Sequence, residues 1–162
     1  EWTARLIARD SDRDLAWLQI TDVPEGKTFP AVDLTRSAEP RVGDEIFVLR
    51  RLSEYFGDEP VVSNVVVAAR LDRPRPLFLT AQSVGYLGMP AFDGEGRIVG
   101  TFVAQVPRDG EGEAAMQTRG LPGQASAVQD MISRLVLPAS ELIKATKLAR
   151  ETWEADQNEA VQ

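Results

Sequence analysis

Hydrolysis, group transfer and metal binding each need particular side chains, and the first question is which of them this chain carries. Its 162 residues include no histidine and no cysteine. The commonest general base, the commonest zinc ligand and all thiolate chemistry are therefore missing from these residues. Two hydroxyls, Thr80 and Ser83, stand just before a glycine-containing turn, Gly85 to Pro90. Three lysines, Lys27, Lys144 and Lys147, could in principle activate a hydroxyl, but no spacing selects a serine–lysine pair. Two carboxylate clusters, Asp93 to Gly96 and Asp109 to Glu113, offer oxygens to a hard cation. Neither has the ligand spacing of a calcium loop, so both read as solvated turns, and no metal or other cofactor is assigned. Asp14, directly ahead of an apolar run, reads on its own as a turn residue or strand cap.

The composition bounds what surrounds these groups. With 43% hydrophobic and 27% charged residues the chain can bury one core or two small ones. A formal charge of -7 argues against nucleic acid or an anionic membrane surface as partner, since phosphates are bound by clustered lysine and arginine. The longest apolar stretch, around Val65 to Ala69, is far too short for a membrane span. The lack of cysteine leaves the redox compartment open.

Short β-type runs dominate the elements that must position these residues. Thr3 to Ala8 and Leu15 to Ile20, separated by a polar turn, predict a hairpin. A stretch punctuated by Pro24, Gly26, Pro30 and Pro40 follows, and a boundary near residue 40 is expected. Further strands are expected at Ile46 to Leu49, Val61 to Ala69, Leu77 to Ala81, Pro90 to Phe92 and Arg97 to Val106, with a turn at Asp93 to Gly96. Pro107 to Gln124 reads as a long loop. From Ser140 the period becomes helical: Ser140 is the expected N-cap, Glu141 lies in the first turn, and Leu142, Ile143, Leu148, Ala149 and Trp153 are expected on one face of a helix ending near Glu154. Trp2, Trp17 and Trp153 read as packing residues, with Trp153 also placed to meet a partner.

Three segments, in order, resemble signatures of trypsin-like serine proteases of the HtrA/Deg type. Asp14-Leu15-Ala16-Trp17-Leu18-Gln19-Ile20 is similar to the family's aspartate strand, which makes Asp14 the triad acid by resemblance. Arg41-Val42-Gly43-Asp44-Glu45-Ile46-Phe47-Val48 looks like the start of the second barrel, although Arg50-Arg51-Leu52 replaces the usual Gly-x-Pro. Gly85-Tyr86-Leu87-Gly88-Met89-Pro90 and the hairpin after it are similar to the nucleophile loop Gly-Asn-Ser-Gly-Gly-Pro, with Leu87 at the serine position and Met89 where glycine is usual. Leu135 to Ser140 resembles the family's strand-to-helix exit.

The resemblance implies an all-β, trypsin-like fold: a remnant of the first barrel over residues 1–40, a complete six-stranded second barrel over 41–137, and a C-terminal helix and tail over 138–162. A triad needs nucleophile, imidazole and carboxylate, and only the carboxylate is present, so Asp14 is expected to be vestigial and Leu87 inert. Met89 is expected to disfavour a positive φ and to alter the loop. A non-catalytic domain that binds protein or peptide follows, through Gly85, Tyr86, Gly88 and Met89 of the old cleft or by β-addition at an open edge. Two strands cannot close a barrel, so the remnant should expose edges that an upstream segment or another chain completes. The alternatives are a diverged serine endopeptidase whose missing groups come from upstream or from a partner, and an assembly domain forming a homo-oligomer. The resemblance also implies a bacterial, extracytoplasmic setting.

Overall fold

The computed structural model describes residues 2–85, 87–105 and 134–159. Tyr86, the loop expected from Pro107 to Gln124 and the cluster Asp109 to Glu113 lie outside them. Strands β1 (Ala4–Asp10) and β2 (Leu15–Ile20) form a two-stranded antiparallel sheet. The polar turn between them is closed by Asp10, whose Oδ1 accepts the Asp12 and Arg13 amides. Six further strands close a barrel: β3 (Glu45–Arg51), β4 (Pro60–Leu71), β5 (Leu77–Thr80), β6 (Pro90–Phe92), β7 (Ile98–Val103) and β8 (Leu135–Pro138), in the order β3-β4-β5-β8-β7-β6. Helix α1 (Ala139–Glu159) follows β8 without a break.

Alternation decides which side chains fill the barrel. Along β3, Ile46 and Val48 point inward and are almost wholly buried, while Phe47 and Leu49 face outward. Val65, Val67, Phe78, Ala91, Val99, Phe102 and Val136 complete the interior. Strands β7 and β8 are apolar on both faces because α1 packs on their outer side, where Leu77, Val103, Leu135 and Leu137 form a second buried cluster. Leu15 of the hairpin packs on that cluster. Gly100 allows β7 and β8 to approach, since a methyl there would run into the Leu137 carbonyl.

Polar contacts hold the hairpin to α1. Trp17 Nε1 donates to Thr146 Oγ1 at 3.1 Å, and the Arg5 guanidinium lies 5.4 Å from the centre of the Trp153 ring. The Arg13 guanidinium sits 2.8 Å from Asp10 and 3.7 Å from Glu141. The connection from the hairpin runs parallel to the start of β7, with Ile98 N donating to the Arg36 carbonyl and Ala38 N to the Ile98 carbonyl, before it enters β3.

Two features of the helix differ from expectation. It begins at Ala139, so Ser140 is within the first turn rather than at the cap, and it continues to Glu159. Its docked face runs through Glu141, Ala145 and Ala149, four residues apart, whereas Leu148 is 61% exposed and Ile143 is also exposed. Small side chains win this face because they let the helix lie close to the strands, a criterion that hydrophobicity alone does not capture.

Candidate functional site

Asp14 stands at the entry to β2 with a φ of 56°, a left-handed conformation that aspartate tolerates better than most residues. Its Oδ2 accepts the backbone N–H of Ala104 at 2.9 Å, just past the end of β7. Next to it, Gln105 Nε2 donates to the Asp12 carbonyl at 3.0 Å. The carboxylate is thus engaged in joining the hairpin turn to the exit of β7.

The loop from Ser83 to Met89 attaches to the same exit. Gly88 N donates to the Phe102 carbonyl at 2.7 Å, and Phe102 N donates back to the Met89 carbonyl at 2.9 Å. Phe102 and Ala104 are two strand residues apart, about 7 Å. The end of β7 therefore brings the Asp14 carboxylate and the glycine turn to one place, although they are more than 70 positions apart in sequence. Sequence reasoning named both partners but not the stretch 102–105 that joins them. The one available signal was a polar Gln105 closing an apolar strand.

Within the loop, Gly85 and Gly88 take positive φ values of 73° and 76°, as their side-chain-free backbones allow. Gly85 N–H donates to Ser83 Oγ at 3.0 Å, so it does not stand free for an incoming oxyanion. Leu87 is 45% exposed. Met89 has no positive φ, and its partly buried side chain packs against the barrel core. Methionine is tolerated there because the left-handed turns fall on Gly85 and Gly88, which leaves its flexible side chain to fill a gap.

Thr80, Lys144, Lys147 and Asp93 are occupied. Thr80 is wholly buried and its hydroxyl lies 2.7 Å from the Gln82 carbonyl and 3.1 Å from that of Arg134. Lys144 pairs with Glu141 at 2.8 Å, and Lys147 lies 3.8 Å from Glu151. In the turn at 93–96, Asp93 Oδ1 accepts the Glu95 and Arg97 amides and Oδ2 is held by the Arg97 guanidinium. Burial pushes the Asp93 carboxyl up, but the Arg97 hydrogen bonds and charge, with the Glu95 amide, outweigh it and leave its pKa below the usual value. This carboxylate serves the turn and has no oxygen left over for a cation. No cluster of three or more metal-ligating side chains occurs among the described residues.

With this geometry in view, the family follows from sequence comparison: the model of the trypsin-like peptidase domain matches residues 1–100. The chain belongs to that family. The matched span holds the hairpin, β3 to β6, the glycine turn and the start of β7, so it includes both groups that meet at the β7 exit. A search of curated proteins gives no match. Among solved structures, the trypsin-like chain is similar to the MamO protease domain of Magnetospirillum magneticum in its apo form. Identity is 16% and the TM-score 0.57, with 89% of this chain and 67% of the other covered. At that identity the likeness speaks for the fold: a closed six-stranded barrel, a preceding hairpin and a C-terminal helix in a trypsin-like arrangement.

Proposed function

We propose that this is a catalytically inactive trypsin-like domain of the HtrA/Deg type, acting as a protein- or peptide-binding module. The observation that carries the reading is Leu87 in the glycine turn, at the place where the family motif has its serine. Leucine has no lone pair to attack a carbonyl and no proton for a base to remove. The engagement of Gly85 N–H with Ser83 supports the same reading, because a site kept for acyl transfer holds its amide donors open. On this account Asp14 is a vestigial triad acid that now serves as a backbone acceptor.

The division at residues 40 and 137 belongs to the same proposal, with residues 1–40 as a remnant of the first barrel. The hairpin shows Leu6 and Leu18, which face each other across β1 and β2, at 59% and 62% exposure, with Ile20 also exposed. An upstream segment or another chain adding a strand there would cover them. No helix among the described residues is long and apolar enough to cross a membrane.

Binding of an unfolded casein-like polypeptide, followed by fluorescence anisotropy, tests the reading. The natural chain is expected to bind without cleaving, and Leu87→Arg to weaken binding by roughly tenfold or more, the scale of one lost apolar contact plus a buried charge. Cleavage that survives purification and is abolished by a defined point mutation would favour the alternative, a diverged endopeptidase completed by upstream or partner groups.

A further inference from the structure

The outer wall of the barrel carries an apolar groove that the cleft reading does not use. Phe47 of β3 faces Phe92 of β6 across the sheet, and Leu49 faces Val62 of β4. Leu49 and Val62 are 51% and 63% exposed. Phe47, Leu49, Phe92, Gly94 and Gly96 line a cavity of about 430 Å³. An added Cβ on Gly94 would lie 3.8 Å from the Phe47 ring, so the glycine leaves the groove open at that wall.

The same β3–β4 hairpin ends in a 3-10 turn, Glu54–Phe56, that carries two aromatic rings outward. Tyr55 is 89% exposed and Phe56 59%, stacked edge to face at 5.0 Å. Gly57 and Asp58, both at positive φ, fix this tip. Aromatic side chains held out on a rigid turn are characteristic anchors of protein interfaces.

Charge selects the occupant. With Asp93 given over to its own turn, the segments that form the groove and the tip carry the carboxylates of Glu45, Glu54, Asp58, Glu59 and Glu95 against the guanidiniums of Arg50, Arg51 and Arg97. Arg97 is already paired with both Asp93 and Glu95. An acidic rim around an apolar groove attracts a basic ligand and repels an anionic membrane. A second copy, itself at -7, is disfavoured on the same ground.

We propose that the outer face of the β3–β4 hairpin is a docking site for a basic segment of another protein, with a large apolar side chain seated over Phe47 and Phe92 and flanking lysines or arginines meeting the rim. The site is separate from the cleft at Ser83 to Met89 and stands or falls independently of it.

The test is selection of a random-peptide display library on the immobilised chain, followed by affinity measurements of the enriched peptides. Gly94→Leu fills the groove without backbone strain, because Gly94 does not occupy the left-handed region. Tyr55→Ser with Phe56→Ser removes the tip, and Leu49→Ser replaces Gly94→Leu if the latter lowers the melting temperature. The expected result is peptides with a large apolar residue flanked by Lys or Arg, weakened at least about tenfold by the groove variant and by the tip variant, the range of a lost hot spot, and weakened by salt. Peptides without basic residues, binding unchanged by either variant, or no enrichment would overturn the proposal. So would vesicle binding or self-association abolished by the same variants, which would give the face to a membrane or a second copy.

Discussion

At the scale of single residues, Asp14 separates a structural role from a catalytic one. Its carboxylate accepts a backbone amide from Ala104, and asparagine would offer an equivalent oxygen while also tolerating the left-handed φ. Asp14→Asn is therefore expected to unfold in urea within about 0.5 kcal/mol of the natural chain, and Asp14→Ala to lose about 1–2 kcal/mol through the missing acceptor and the strained φ. Equal losses in both variants would show that the charge, not the acceptor, matters. Gly100 makes a second residue-scale prediction. A methyl group there meets the Leu137 carbonyl, so Gly100→Ala should cost about 3 kcal/mol or more, because two paired backbones must move apart. Denaturant unfolding measures it, and a change below about 1 kcal/mol would contradict the close packing of β7 on β8.

At the scale of elements, the hairpin depends on α1, and that contact has both an apolar and an ionic part. Ala149→Leu on the docked face is expected to destabilise by about 1–3 kcal/mol, while Leu148→Ala on the exposed face should change little. The ionic part involves Arg13, Asp10, Glu141 and Lys144. Hydrogen bonding to Lys144 is the main cause that holds the Glu141 carboxyl below its ordinary value of 4.5, with Arg13 adding to it. Burial raises the Asp10 carboxyl, but hydrogen bonds and charge from Arg13 and the Asp12 amide bring it below 3.8. Both folded-state values are depressed, so these carboxylates add stability above their unfolded pKa values, and that stability is lost as pH falls through the lower folded values. The urea midpoint should hold steady from neutral pH to about pH 5 and then decline, with a shallower decline in Glu141→Gln. An unchanged slope in that variant would remove Glu141 from the ionic contact.

These elements also show how far the sequence alone could reach. Alternation of apolar residues placed β2 and β6 to the residue, and it located β3, β4 and β5, because a strand with one face inside a barrel must alternate. The helix face was misread in part: Ala149 was on the expected face and is buried, but Ala145 looks unremarkable beside Ile143 and Leu148, although close approach favours the small side chains. The candidate site was half legible. Asp14 and the Gly85 to Pro90 turn stood out as motifs, but their meeting at residues 102–105 depends on the barrel's closure, which no local pattern encodes. The engagement of Gly85 N–H by Ser83 and the packing of Met89 are equally properties of the folded loop.

At the scale of the whole molecule, the chain keeps a trypsin-like scaffold, and the proposed reading sets leucine at the serine position of its glycine turn. Barrel closure, the β7–β8 contact and the docked helix need none of the catalytic groups, so the fold can outlast the chemistry. The most direct measurement is exposure of the longest natural form of the protein to a serine-reactive phosphonate and an unfolded casein-like substrate, beside a Leu87→Ser variant. The account predicts that the natural form is neither labelled nor active; labelling that maps to a defined serine, together with casein cleavage, would contradict it and place the nucleophile elsewhere than position 87.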